Sequence, residues 1–378
     1  MHLYLHIPFC HQACHYCDFH FSTRLAGKQA MVKAIQLEIA LQNNYLAGQT
    51  LETIYFGGGT PSVLSSLELA VILQTIRSHF NVEPNAEITL EANPEDLTPA
   101  YLASIQSLGI NRLSIGIQSF QDDNLAFLNR NHSAQQAMQA IRDAQAIGLT
   151  NISIDLIYGL PNNSLADLEH DILQAVQTGV NHISAYSLTV EPKTVFGHQK
   201  KQGTFSEVSE THMATCFENT HVLLEKHGFE AYETSNFAKN GHFSRHNTSY
   251  WNQENYLGIG PAAHSFNQVS RQWNVANNAT YVKQITQGII PAEVEILSPA
   301  DQLNELMLTK FRTKAGVSLD RLAAKFAAAN SPFPEKELDR WVKEGLAEQV
   351  DGHIRLIGDG KLIADKLASD LFVLDAGR

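Results

Sequence analysis

The 378-residue chain is 44% apolar and 17% charged, the balance of a folded globular protein and not of a disordered tail. Its net charge of -12 makes nucleic acid a poor general partner. No apolar run approaches the ~18 residues of a membrane span. The N-terminus enters a strand without a leader signature, and four cysteines suit a reducing compartment; a cytoplasmic protein without an integral membrane segment is expected.

The first strand, Leu3 to Ile7, ends at Pro8 and runs into Cys10, Cys14 and Cys17, spaced C-x3-C-x2-C. Three thiolates on one short loop can converge on one metal centre. A cubane iron–sulfur cluster with three protein ligands keeps one iron open to another molecule. Two alternatives stand beside it: a zinc site completed by His11, His15 or His20, and a disulfide, which an odd number of clustered cysteines disfavours.

Beyond the cysteines, helix and strand alternate. Helices are predicted over 27–46, 65–79, 98–107, 133–147 and 164–178, and strands over 51–56, 86–91, 112–117, 151–157 and 181–187. Six apolar strands separated by helices predict right-handed βαβ units and a parallel sheet, in an α/β fold. Polar groups gather where these strands end: the cysteines, Gly57-Gly58-Gly59-Thr60-Pro61, Glu91, Gln118, Asp155 and Ser187. Ligands of parallel β/α folds bind at that end. The GGGTP run reads either as a tight turn or as backbone that approaches a ligand closely.

The cysteine spacing, with Tyr16 just before the last cysteine, resembles the radical S-adenosylmethionine (SAM) superfamily. The runs GIQSFQDDNL, RNHS and DLIYGLP are similar to its coproporphyrinogen-dehydrogenase-like branch. The resemblance implies an incomplete (β/α)6 barrel, a [4Fe–4S] cluster on Cys10, Cys14 and Cys17, and SAM on the open iron. It places Tyr4, Tyr16, Gly58, Gly59, Thr60, Glu91, Gln118, Arg130 and Asp155 around SAM. In the dehydrogenase, the matches of Gln118, Arg130 and Asp155 line a second SAM site. In this superfamily a low-potential electron enters the cluster and cleaves SAM to methionine and a 5′-deoxyadenosyl radical.

Within the branch, three features resemble the HemW-type haem chaperones more than the oxygen-independent coproporphyrinogen III dehydrogenase. Phe19 stands where the dehydrogenase has a fourth cysteine. Only three residues precede Tyr4, where the dehydrogenase carries a long covering segment. His246-Asn247-Thr248-Ser249-Tyr250-Trp251 matches the H-N-x-x-Y-W motif associated with haem. Imidazole is a common haem ligand, and Tyr and Trp offer flat apolar faces with polar edges; a turn with a surface histidine and two half-buried aromatics is the alternative. The resemblance implies haem on His246, Asn247, Tyr250 and Trp251, an electron donor, and transfer of haem to respiratory haem proteins. No catalytic residue is assigned, and the alternative activity is that of the dehydrogenase. Asn236, Arg245 and His264 flank the motif.

Residues 191–205 read as a loop leaving the barrel, and 210–227 as a helix that buries Cys216. From about 298 come two helices broken at Gly316, a helix over 335–344 with Trp341 and Val342 inward, a hairpin over 346–350 and 353–357, and a last helix over 359–370. Helices followed by a two-stranded wing resemble a winged-helix module. The mixed charge of EKELDRWVKEG fits protein packing better than DNA. The expected division is 1–190 barrel, 191–297 barrel extension with the haem motif, and 298–378 winged-helix-like domain.

Overall fold

A computed structural model describes residues 1–45 and 48–374. The expected helix end at 46 and domain end at 378 fall outside them. The barrel begins with β1 (His2–Ile7), α1 (Lys28–Leu41), β2 (Leu51–Gly58), α2 (Ser66–His79), β3 (Val82–Ala92), α3 (Pro99–Ser107), β4 (Arg112–Gln118) and α4 (Asp122–Phe127). It continues with α5 (Ala134–Ala146), β5 (Ile152–Tyr158), α6 (Leu165–Gln177) and β6 (His182–Ser187). These six strands pair in sequence order and in parallel, an incomplete (β/α)6 barrel as expected.

Local chemistry sets the elements. Leu3, Leu5 and Ile7 alternate into the core, so His2, Tyr4 and His6 take the opposite face of β1. Capping boxes start α2 at Ser65–Glu68, α5 at Ser133–Gln136 and α6 at Ser164–Asp167.

The sheet does not stop at six strands. After α7 (Val195–Lys201) and α8 (Glu210–Lys226), β7 (Glu230–Ala231) and β8 (Asn236–Ala238) add antiparallel strands beside β6. Past α9 (Arg245–Trp251), β9 (Tyr256–Ile259) returns to the other edge and pairs parallel with β1. β10 (His264–Phe266), β11 (Ser270–Asn274), α10 (Asn278–Thr286) and β12 (Ala292–Ile296) follow, and the three strands extend that edge antiparallel. The expected loop 191–205 contains α7, whose Thr194 side chain caps the Gly197 amide.

The C-terminal part has its own core around Leu303, Met307, Leu322, Phe326 and Trp341. It holds α11 (Pro299–Lys310), β13 (Val317–Ser318), α12 (Leu319–Ala328), α13 (Glu335–Lys343), β14 (Ala347–Val350), β15 (His353–Leu356), α14 (Asp359–Leu362) and α15 (Ala364–Asp370). Helices α11, α12 and α13 with the β13–β15–β14 sheet make it winged-helix-like. Two expectations need correction. Val342 is exposed, because it follows Trp341 by one position and so turns about 100° off the buried stripe. The last helix is two helices, broken at the non-helical Ile363.

One buried carboxylate fastens the added edge to the barrel. Glu38 of α1 is fully buried and accepts from Tyr281 Oη (2.5 Å), Asn274 Nδ2 (2.6 Å), the Gly260 amide (2.7 Å) and Gln42 Nε2 (3.1 Å). These donors come from α10, β11, the turn after β9 and the C-terminal cap of α1. Hydrogen bonds to a charged group are worth ~1.5–3 kcal/mol each, and a buried donor left unpaired adds a penalty. Glu38→Ala is expected to lose about 3 kcal/mol or more, measured as a lower urea midpoint with an unchanged slope. An unchanged midpoint would show that the edge does not depend on Glu38.

Candidate functional site: a cysteine loop between two cavities

The loop after β1 is held from both sides. On one side, Gly59 N donates to Ile7 O (2.9 Å), Thr60 N to Phe9 O (2.7 Å), and Thr60 Oγ1 to Cys10 Sγ (3.3 Å). On the other, Asn129 Nδ2 donates to Ala13 O (2.7 Å), Gln12 Nε2 to Asn129 O (2.9 Å) and His15 N to Leu128 O (3.2 Å). A Cβ on Gly59 would stand 2.7 Å from Phe9 O and 3.0 Å from Cys10 Sγ, so only glycine permits this approach.

Cys10, Cys14 and Cys17 line one cavity of about 490 Å3. Tyr16, Gly58, Gly59, Thr60, Glu91, Gln118, Arg130 and Asp155 line it too. Gln118 sits at a register shift between β4 and β5 with φ 72°, a bulge that re-aims the end of the strand. Arg130 donates from Nη1 to Cys14 Sγ (3.2 Å) and from Nη2 to Asn93 Oδ1 and Gly116 O (both 2.7 Å). Glu91 Oε1 accepts from Tyr55 Oη (2.8 Å). Burial is the main cause that pushes the Glu91 carboxyl up to about 8 and that of Asp155 up to about 6.

A second cavity, about 690 Å3, lies across the same loop, since Asp18 and Phe19 line both. Tyr4 faces this cavity, with His6, His20, Tyr250, Tyr256, His264, Phe266 and Arg271. Tyr4 thus lines a different cavity from the other residues grouped with it by sequence, while its ring stacks on Tyr55, the donor to Glu91.

The H-N-x-x-Y-W run is divided. Tyr250 lines the second cavity and Asn247 the first, while Trp251 lines neither. His246 is buried, with both ring nitrogens engaged: Nδ1 with Thr53 Oγ1 (2.6 Å) and Nε2 with Tyr250 Oη (2.9 Å). The chain extends through Thr53 Oγ1 to His2 Nδ1 (3.0 Å) and from His2 Nε2 to Glu254 (2.8 Å). The Glu254 carboxylate can only accept, which fixes the direction: His2 donates to it, Thr53 to His2, His246 to Thr53, and Tyr250 to His246. Burial holds the pKa of His246 well below that of a free imidazole. This geometry offers no ring nitrogen of His246 to an iron.

Residues 4–175 match the Radical SAM superfamily and residues 297–363 the HemN C-terminal domain. The heme chaperone HemW of Mycobacterium tuberculosis is 36% identical over 374 residues, 98% of this chain and 94% of that protein. The chain belongs to the HemW family. HemW of Bacillus subtilis is 34% identical over 96% of this chain and 97% of that protein. HemW of Escherichia coli is 38% identical over 69% of each. In fold, the chain is similar to the coproporphyrinogen III oxidase HemN of Escherichia coli, a radical SAM enzyme, with a TM-score of 0.82 at 22% identity over 97% of this chain and 89% of that one.

The superfamily implies a [4Fe–4S] cluster and SAM, and the HemW-family residues here fit that pair. Three soft sulfur donors line one cavity, and two of them receive hydrogen bonds, from Thr60 and Arg130. The histidines weighed for zinc turn elsewhere: His15 Nδ1 to Phe127 O (3.0 Å), His20 Nε2 to Asn278 Oδ1 (2.7 Å) and His11 to Asp96 (3.4 Å).

Sequence reasoning missed Asn93, Tyr55, Ser184 and Tyr186 in the first cavity, and His6, Tyr256, Phe266 and Arg271 in the second. The alternation of His2, Tyr4 and His6 on β1 signalled a polar inner face. Arg271 carried no signal, because the run SRQWN of β11 lacks the apolar–polar alternation that marks a strand.

Glu91 makes a pH prediction. Burial holds its carboxyl protonated in the folded protein up to about 8, whereas in the unfolded chain it ionises near 4.5. Between those values the folded state binds the extra proton, so stability falls as pH rises. Wild type is expected to lose stability relative to Glu91→Gln from about pH 5 to pH 8, read as urea midpoints at each pH. Parallel curves would show that Glu91 ionises normally.

Proposed function

We propose that this protein is a radical SAM haem chaperone that binds haem and a [4Fe–4S] cluster and delivers haem to respiratory haem proteins. The observation that carries the reading is membership of the HemW family along nearly the whole chain. The two cavities that share the cysteine loop support it.

In this reading Cys10, Cys14 and Cys17 hold the cluster, and the groups around the first cavity hold SAM. When bound, the pair supplies a low-potential one-electron cleavage of SAM, with an electron donor of another protein. The chain's own part is to bind, orient and shield. Arg130 places a positive charge against Cys14 Sγ, which offsets the negative charge of a thiolate. Glu91, kept protonated near neutral pH, offers a hydrogen bond to the rim without adding charge. Apolar packing of Phe196 on Phe127 and Phe205 (both 4.8 Å) backs the far side of the loop.

Haem, a flat apolar cargo with acidic edges, matches the aromatic second cavity, which falls in the ~300–1,000 Å3 range of small-molecule sites. The reading assigns residues 1–190 to the cluster and SAM, 191–297 to the haem wall, and 298 onward to contacts with protein partners.

Anaerobic reconstitution with iron and sulfide is expected to give a brown protein with broad violet-blue absorbance, and Cys14→Ala and Gly59→Val are expected to lose most of it. Haem titration should give a saturable Soret band, and coproporphyrinogen III with SAM and reductant should be left unconverted. Failure to bind haem, or formation of protoporphyrinogen, would overturn the chaperone reading.

A further inference from the structure

The H-N-x-x-Y-W run points to His246 as the haem histidine, yet its ring is consumed inside the core. The second cavity contains three other imidazoles, and they are not equivalent. His6 engages both ring nitrogens, with Tyr4 Oη (3.3 Å) and His20 O (2.8 Å). His20 gives Nε2 to Asn278. His264, exposed on β10, has no hydrogen-bond partner among the described residues, and its ring rests on Trp273 at 6.1 Å and 27°.

We propose that His264 ligates the haem iron in this cavity, and that His246 is a positioning residue which holds Tyr250 in the cavity wall. The inference rests on the haem-chaperone reading and deepens it.

Three further observations fit. Arg271, opposite the loop, leaves its Nε buried and without a partner, although Nη2 meets Glu305 at 2.8 Å. An unpaired buried N–H is a donor in waiting, and a porphyrin propionate is the acceptor that suits a guanidinium. Tyr256, Tyr250 and Phe266 supply a ring-lined wall, with Tyr250 and Tyr256 edge to face at 4.6 Å. Partial burial of the ring and the nearby Arg271 lower the pKa of His264, which favours the neutral imidazole that a metal takes. His246 then acts as a group that orients another group at a metal site. It accepts from Tyr250 Oη and is itself oriented by Thr53, His2 and Glu254.

The test compares full-length wild type, His264→Ala, His264→Met and His246→Ala, titrated with ferric haem and with iron-free protoporphyrin. Wild type should show imidazole-ligated Soret and visible bands. His264→Ala should lose those bands and about tenfold or more in haem affinity, regain the bands on adding free imidazole, and bind iron-free porphyrin as wild type does. His264→Met should replace the imidazole bands with thioether-ligated ones; it carries the test if circular dichroism shows His264→Ala to be misfolded. His246→Ala should weaken haem and iron-free porphyrin by the same factor and keep the wild-type bands. Retained bands and affinity in His264→Ala, or loss of the bands in His246→Ala alone, would overturn the proposal while the chaperone reading stands. A wild type that binds no haem would overturn both.

Discussion

The approach of the Gly58-Gly59-Thr60 turn to the cysteine loop is the constraint on which the rest of the site depends. Backbone bonds from Gly59 and Thr60 run to Ile7 O and Phe9 O, and a side chain at 59 would collide with both the loop backbone and Cys10 Sγ. A loop of eight residues from Cys10 to Cys17 has many conformations, and ordering it costs roughly 1–2 kcal/mol per residue. The turn and the 127–130 segment supply that order to the loop backbone without the cluster, so the course of the loop is set before any metal arrives. Ligation then has to remove the thiol protons. Burial, the main cause, pushes the Cys10 thiol up to about 12 and that of Cys17 up to about 11. Metal binding and proton release are therefore tied together.

The second dependence lies at the open side of the barrel. Six βα units cannot close on themselves, which leaves one edge of β1 to be covered. β9 covers it in parallel, and Gly260 follows so closely that a Cβ there would lie 2.5 Å from His6 O. Glu38 pins the same segment from beneath. Its buried carboxylate is tolerated because four donors converge on it. The edge that completes the sheet is thus also the edge that brings His264, Phe266 and Arg271 to the cysteine loop.

How much of this was legible in the sequence follows from the range of each signal. The cysteines, the glycine turn and the six apolar strands are local patterns, and all six strands form, β3 with four more residues at its start. The polar residues at the strand ends fall in one cavity because parallel strands share a direction. Other neighbours are harder to read: a strand has two faces, and spacing alone does not say which neighbour each face will meet, as with Tyr4, which stacks on Tyr55 and lines the second cavity. The same holds for His246. Its residue type and its neighbours suggested a ligand, but no local pattern could show that Thr53, 193 positions away, would occupy its Nδ1. β10 has three residues and β7 has two, below the length at which a period of two can be seen.

In the proposed role a chaperone must release what it binds, and this sets a physical demand on the two-cavity arrangement. Tight, fully buried haem ligation would favour retention. A single exposed imidazole on β10, if it ligates the iron as proposed, beside a guanidinium already shared with Glu305, would give an attachment that an acceptor can displace stepwise. Phe19, 65% exposed at the lip of both cavities, takes the position at which a further thiolate would bring a second iron-binding group to the loop. An aromatic ring there offers a porphyrin a face to leave across instead of a ligand to remain on. Because Asp18 and Phe19 belong to both walls, the contents of one cavity bear on the shape of the other through the shared loop. Binding at one can shift occupancy at the other only by as much as it favours one loop arrangement over another. In the proposed role, the short path from the thiols to that lip is one route for coupling between SAM and cargo, beside the contact of Tyr4 with Tyr55.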